Sequence, residues 1–412
     1  MGKRNSIDHA AMRDMNISLI LNTLHNESSL SRAGLANQTG LNKGTISTMV
    51  KTLLEVGLIQ EIGTDAVSTD PGRPAIYLET NPNGGYIIGA EIGVDFISIV
   101  TVNFAIEIVS RRYESTLKLF GQKAIMERFL FLLKEAYEQA EKNGRPVFGV
   151  GIGVPGLVDT ENGKLLFAPN LKWENVPIKK MVNSVLDVSV FVSNEANLVA
   201  LGENYFGAGQ DSDNLLFISS GVGLGGGIVI NGRLVNGATG FAGEVGHMIV
   251  QHDASATTCN CGNKGCWETV AGRDALFARV QTAIQNNQPS YLTEKTEGDL
   301  SRLSIPFILE AAKNQDSVAL NALTETGEWL GIGIANLINV INPDCVIFGG
   351  ALMNAHEFLL PVIRQTVNSN TLPQIHKGVE IVTAKLGEDA AVMGGVAIVY
   401  RDVLNNPRKW LQ

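Results

Sequence analysis

Cysteine is scarce, with four residues in a chain of 412. A small secreted scaffold stapled by disulfides uses far more, so the chain reads as one built for a reducing compartment. Long apolar runs are missing too. No stretch reaches the ~18 apolar residues of a membrane-spanning helix, and no apolar signal core follows the N-terminus. A cytoplasmic protein with no membrane association is expected. An excess of positive charge is also absent: 32 Lys and Arg stand against 41 Asp and Glu, a net charge of −9. That balance excludes a polyanion binder acting by bulk charge, but not a local basic face. The rest is ordinary for a globular chain, 45% hydrophobic and 18% charged, and the length suits roughly two to four domains.

Three of the four cysteines are crowded together. Cys259, Cys261 and Cys266 lie in Cys-Asn-Cys-Gly-Asn-Lys-Gly-Cys-Trp-Glu, and His247 ends the upstream Gly-Glu-Val-Gly-His. One imidazole and three thiols match a closed tetrahedral site for a structural Zn2+, one ion per chain, with no position left for water. The competing reading is a packed histidine beside free or disulfide-bonded thiols. A His upstream of three clustered Cys is much more specific than a lone Cys-x-x-Cys, and this favours the metal. Glu244 and Glu268 flank the set, so an ion pinning this loop would also fix two carboxylates. Cys345 lies in an apolar stretch and reads as core.

The first 82 residues have their own pattern. Ile17, Ile20, Leu21 and Leu24 mark one face of a helix. A short helix follows from Ser31 with Leu35 and Ala36 inward, then a turn at Gly40-Leu41. Asn42 is placed to cap a third helix, with Ile46, Val50, Leu53 and Leu54 as its buried stripe. This is the helix-turn-helix order, in which the last helix enters the major groove. Its outward residues Lys43, Thr45, Ser47, Thr48 and Lys51, with Arg32 on the helix before, can approach phosphates and base edges. Residues 62–77 read as a hairpin wing whose tip, Gly72-Arg73-Pro74, presents Arg73 to a minor groove. The alternative is a three-helix protein-interaction module. Residues 1–75 hold seven basic and seven acidic side chains, so non-specific DNA binding should be modest. Residues 81–85, Asn-Pro-Asn-Gly-Gly, read as a linker.

From Tyr86 the periodicity changes to a β-β-β-α-β-α order. Strands are expected near 86–94, 97–102, 106–113, 147–154 and 190–193, with helices over 124–142 and 195–205. A similar order recurs after residue 215, with helices over 301–313 and 317–341 and a buried strand at 345–348. The final helix, 390–404, should fold back onto the first lobe. Two α/β lobes of this kind hold ligands at strand ends and loops.

On these residues the chain resembles the ROK family of repressors and sugar kinases. The resemblance rests on Gly221-Val-Gly-Leu-Gly-Gly-Gly227 with Asn231-Gly232, on Gly243 to His247, and on the Cys knuckle. Val154 to Asp159, Ala168-Pro169-Asn170 with Trp173, and Asn194-Glu195-Ala196-Asn197 are most similar to the family's bacterial xylose repressors. The implied fold is α/β, an N-terminal winged helix-turn-helix followed by a two-lobed actin-like (ribonuclease-H-like) domain. The implied domains are residues 1–82, a first lobe 83–200 joined by 390–412, and a second lobe 201–389 carrying the zinc knuckle. The family's sugar contacts map onto Asn170, Asn194, Glu195, Glu244, His247 and Glu268, whose amides and carboxylates suit hydroxyls that both donate and accept.

The resemblance therefore implies a sugar-responsive repressor of carbohydrate utilisation, with operator DNA and D-xylose or a related sugar as partners, acting as a homodimer or higher homo-oligomer. It also admits an ATP-dependent sugar kinase, a hexose or amino-sugar effector, or release by a partner protein. Against a kinase, the family's phosphate loop Asp-x-Gly-Gly-Thr reads Glu91-Ile92-Gly93-Val94-Asp95 here. Val94 stiffens a loop that needs glycine, and Asp95 adds charge beside a polyanion. The kinase base, an Asp, is replaced by the longer Glu195, which would fill the space of a hexose's exocyclic carbon and favour a pentose.

Overall fold

The computed structural model of the protein describes residues 9–64, 76–142, 144–406 and 409. The wing tip with Arg73 lies outside the described residues. The chain divides into two compact units, residues 1–195 with 391–412, and residues 196–390.

The first unit opens with α1 (His9–Glu27), β1 (Leu30–Ser31), α2 (Arg32–Thr39) and α3 (Lys43–Glu55), then the wing strands β2 (Ile59–Thr64) and β3 (Ile76–Thr80). Each boundary has a local cause. Ser31 accepts from the Gly34 N–H and Asn42 from the Thr45 N–H, capping α2 and α3, and Gly40 ends α2 in the left-handed region at φ 69°. Ile17, Ile20, Leu21 and Leu24 of α1 are buried, as are Leu35, Ile46, Val50 and Leu53, where α1, α2 and α3 pack together. Met49, not Leu54, completes the buried stripe of α3. β3 pairs antiparallel with both β1 and β2.

Residues 81–85 are a packed joint and not the linker that their composition suggests. Pro82–Gly84 form a 3-10 turn in which the Asn81 side chain accepts from the Asn83 N–H. The Asn81 amide donates to the Gly57 carbonyl at 2.7 Å. A Cβ on Gly85 would stand 2.5 Å from the Phe148 ring. Pro, Asn and Gly make tight turns for the same reasons that they populate linkers, so composition alone does not separate the two.

The α/β part of this unit contains β4 (Tyr86–Ile92), β5 (Phe96–Asn103), β6 (Ile108–Ser115), α4 (Gly121–Glu141) and β7 (Val147–Val154). A small antiparallel sheet follows, β8 (Leu157–Asp159), β9 (Lys164–Ala168) and β10 (Trp173–Val176), then α5 (Ile178–Asn183) and β11 (Val190–Asn194). The main sheet has order β11-β7-β4-β5-β6, with β4, β5 and β6 antiparallel and β7 and β11 parallel to β4. Phe129, Leu132 and Leu133 of α4 pack on one face among Ile88, Ile99 and Ile152. The C-terminal helix, Ala390–Asn405, lies against the other face at Gly89 and Gly151. Contact there is backbone on backbone. A Cβ on Gly89 would overlap the Val392 carbonyl, and one on Gly151 would overlap Gly395.

The second unit runs from α6 (Glu195–Phe206) through β12 (Leu215–Ser220), β13 (Leu224–Ile230) and β14 (Arg233–Leu234) to α7 (Glu268–Ala271), α8 (Arg273–Gln285) and α9 (Tyr291–Lys295). It continues with α10 (Ile305–Lys313), α11 (Ser317–Ile341), β15 (Cys345–Gly349), α12 (His356–Asn370), α13 (Pro373–His376) and β16 (Glu380–Thr383). α10 starts at Ile305, later than the expected 301, because the Ser304 side chain caps it and Pro306 occupies its first turn. The sheet order β14-β13-β12-β15-β16 repeats that of the first unit, three antiparallel strands and then two parallel ones. Cys345 is buried, and Leu330, Ile334 and Ile338 of α11 fill the core with Val346, Phe348 and Leu359.

Candidate metal centre and ligand site

The second unit places Glu244 and His247 by threading two glycines past β13. Gly243, at φ 100°, would bring a Cβ within 2.6 Å of the Gly226 carbonyl, and a Cβ on Gly246 would overlap the Leu224 carbonyl. Gly226 and Gly227 of the Gly-rich run are equally committed, against Val245 and Ala200, whereas Gly221, Gly223 and Gly225 have ordinary room. The cysteine segment folds back as a ribbon. Cys259 N–H donates to Asn263 O and Gly265 N–H to Thr257 O, with bridges Ile249–Cys266 and Thr258–Lys264. Behind it Trp267 is fully buried, and its indole N–H donates to the Trp329 carbonyl of α11 at 2.8 Å.

His247, Cys259, Cys261 and Cys266 converge as the spacing predicts, their ligand atoms all within 4.8 Å of one another. The thiols of Cys261 and Cys266 are 3.6 Å apart, and so are the Cys259 thiol and His247 Nδ1. Tetrahedral zinc, with its usual bond lengths, sets sulfurs about 3.8 Å apart and sulfur and nitrogen about 3.6 Å apart. All three are free cysteines. The donor set and the separations therefore fit one ion.

The carboxylates sit beside this set. Glu268 Oε1 accepts from the Cys259 thiol at 2.8 Å and lies 3.7 Å from His247 Nδ1. Glu244 Oε2 is 4.0 Å from His247 Nε2, so the ring turns one nitrogen to the thiols and the other to Glu244. Partial burial holds the Glu244 carboxyl above its usual range, with the Glu268 charge adding to the shift and His247 opposing it. Gly223 brings bare backbone beside Glu268. These groups make a polar, hydrogen-bonding corner next to the metal set.

In the first unit, Asn170 is exposed in the turn between β9 and β10. Asn194, the last residue of β11, donates its amide to the Gly156 carbonyl at 3.1 Å. Glu195 follows it as the first residue of α6 and is partly buried. The loop after β4 is tight. The Gly93 N–H is taken by the Phe96 carbonyl at 2.9 Å, a Cβ on Gly93 would strike the Phe96 ring, and Val94 and Asp95 are exposed. Burial pushes the Glu91 carboxyl up to about 7. An aromatic ring thus occupies the space against the loop, and one of its N–H groups is unavailable to a phosphate.

On the winged-helix module, Lys43, Ser47, Thr48 and Lys51 project outward from α3, and Thr45 is partly buried at its first turn. Thr48 donates to the Gly44 carbonyl. Lys51 lies 3.8 Å from Glu55, fully in solvent. Arg32 donates to Glu61 of the wing at 2.8 Å, so its charge is already shared. Sequence reasoning passed over Arg13 of α1, which is exposed and reaches Thr52 of α3 at 3.3 Å. It carries no motif signal, and only the crossing of α1 over α3 brings it there.

A winged helix-turn-helix module ahead of a duplicated actin-like α/β domain, with four side chains in its second half that could hold a metal ion, defines a DNA-binding protein built on a sugar-kinase-like scaffold. The chain belongs to the ROK family: the family model matches residues 87–402, and a winged helix-turn-helix DNA-binding model matches residues 16–60. It is 34% identical to the xylose repressor of Caldicellulosiruptor bescii, over 97% of this chain and 99% of that one. It is also 34% identical to a glucokinase of Halalkalibacterium halodurans, over 75% of this chain and 93% of that one. The crystal structure of a ROK family transcriptional regulator, homologous to the E. coli MLC protein, superimposes with a TM-score of 0.84 at 29% identity, covering 97% and 99% of the two chains.

Proposed function

We propose that the protein is a sugar-responsive transcriptional repressor of carbohydrate utilisation, with D-xylose as the effector and no kinase activity. The observation that carries this reading is a helix-turn-helix with its wing strands joined to a ROK domain in which Val94 and Asp95 stand in the phosphate loop and the Phe96 ring lies against Gly93. Zn2+ held by His247, Cys259, Cys261 and Cys266 is structural and orients Glu244 and Glu268. Those two, with His247, Asn170, Asn194 and Glu195, bind the sugar hydroxyls. A homodimer presents two recognition helices to a palindromic operator in the cytoplasm. Lys43, Thr45, Ser47, Thr48 and Lys51 meet the major groove and flanking phosphates, Arg73 meets the minor groove, and Arg32 sits at the edge of that surface.

The test uses a duplex selected by the wild-type protein from a random-sequence pool. D-xylose, D-glucose and N-acetylglucosamine are titrated into the complex, and ATP turnover is assayed with each sugar. Release by D-xylose alone, without turnover, is the expected result. Release by none of them, or steady phosphorylation of any, overturns the reading; turnover would favour the kinase that the glucokinase similarity admits. A second expectation concerns the contact surface. Lys51→Ala should lower operator affinity about equally across sequences and reduce the slope of log affinity against log salt by about 1. An unchanged slope in fluorescence anisotropy would remove Lys51 from the phosphate contacts.

A further inference from the structure

We infer that the C-terminal helix carries the effector signal to the reading head, and that the contact of Tyr400 with His25 at its far end is the coupling joint. This rests on the sugar-responsive reading above. The chain passes between its two units twice, at Glu195/Ala196 and at Ala390/Ala391. The first crossing opens α6 and the second opens the C-terminal helix. Inside the second unit both are tied to one side chain. Glu203 of α6 is fully buried. Its Oε1 accepts from the backbone N–H groups of Lys385 and Leu386, each at 2.9 Å, and its Oε2 from that of Ala208 at 2.7 Å. A buried carboxylate satisfied by three backbone donors is a stiff clamp, because losing any donor leaves charge uncompensated. Rearrangement of this unit around a ligand therefore shifts the segment leading into the second crossing together with α6.

Beyond that crossing the helix has no room to absorb a shift. Val392 and Gly395 press backbone against Gly89 and Gly151 of the sheet. Packed interfaces of this kind hold discrete positions and do not deform smoothly. Near the other end of the helix, Tyr400 is fully buried between Phe104, at 5.5 Å between ring centroids, and His25, at 4.9 Å. Its hydroxyl shares a hydrogen bond with His25 Nδ1 at 3.2 Å. His25 lies in the last turn of α1. That helix supplies Ile17, Ile20, Leu21 and Leu24 to the core of the reading head, and its Arg13 touches Thr52 of α3. Aromatic packing alone would tolerate sliding. A directed hydrogen bond fixes one seating of the helix against α1. The line from the clamp to α3 thus runs through named contacts, and the Tyr400–His25 hydrogen bond ties the C-terminal helix to the reading head along it.

The experiment is a double-mutant cycle on the full chain with Tyr400→Phe, His25→Ala and both together. Operator affinity is measured with and without D-xylose, and D-xylose affinity is measured separately by calorimetry. Wild-type coupling of the usual size is about 5–150-fold in operator affinity. Tyr400→Phe keeps the ring and is expected to cut that ratio to about twofold or less, with sugar affinity in the absence of DNA within twofold of wild type. The double variant should lose no more than either single one, and His25→Gln, which keeps a hydrogen-bonding side chain, should restore part of the ratio. If both single variants keep the wild-type ratio, or if the losses simply add, the joint is not the coupling element. If no sugar releases the wild type while the protein still binds DNA, the functional reading fails first, and this one with it.

Discussion

Cys266→Ala protein is expected to carry little zinc and to bind sugar about 10–100-fold more weakly than wild type, while keeping its fold and its sugar-free operator affinity. The asymmetry follows from where the ligand sits. Cys266 is fully buried and directly precedes Trp267, which is seated in the core with its indole bonded to α11. The core around Trp267, built from Leu330, Ile334, Ile338 and Phe348 among others, does not depend on the ion, so the unit survives without it. The backbone of His247, Glu244 and Glu268 is held by Val245 and Trp267, but their side chains turn towards the ion's place, so their orientation depends on it. With the ion gone, Glu244, Glu268 and the two remaining thiols share one corner with no cation to hold them in place. Metal analysis and xylose calorimetry on one sample decide the matter. Full sugar affinity in a protein shown to be zinc-free would disconnect the knuckle from ligand binding.

Gly151→Ala is expected to destabilise the first unit by about 3 kcal/mol, at the upper end for overpacking a core. The added methyl has nowhere to go: its place is already taken by the backbone of Gly395 in the C-terminal helix. Neither partner is a side chain that can change rotamer, so the helix must lift off the sheet. Gly63→Ala is the control, because a Cβ there meets nothing within 4 Å among the described residues. Thermal unfolding should show the early transition in the first variant and not in the second. Equal midpoints would mean that the helix does not bear on the sheet as described.

Much of this was readable in the sequence, and the reasons are physical. Helix caps are local, so Ser31, Asn42 and Gly40 announced the reading head, and β-β-β-α order announced each lobe. The metal set was legible because thiols and imidazole advertise their chemistry at any spacing that a loop can close. What stayed hidden depends on long-range packing. Residues 81–85 have the composition of a linker, and only the Phe148 ring and the Gly57 carbonyl, far off in sequence or across a turn, make them a joint. One miss was local: Met49, not Leu54, fills the α3 stripe, because positions 46, 49, 50 and 53 keep the i, i+3, i+4, i+7 spacing of one face. The pair of Arg32 with Glu61, the clamp of Glu203 on Lys385 and Leu386, and the meeting of His25 with Tyr400 join residues with no shared motif, so nothing local pointed to them. Which glycines matter was equally obscure: Gly226 and Gly227 are confined, while their neighbours in the same run are not.

Both sheets share a single strand order, yet their crossovers are unequal. The first copy returns from its third strand through α4 alone, whereas the second inserts the metal ribbon and five helices between β14 and β15. The first copy has a smaller excursion of its own, β8 to β10 and α5 between β7 and β11, so most of the novelty is housed in the second while the twin frameworks stay alike. Such a layout lets ligand preference drift by rewriting that excursion while the parts that grip DNA, and those that hold the halves in shape, go on unaltered.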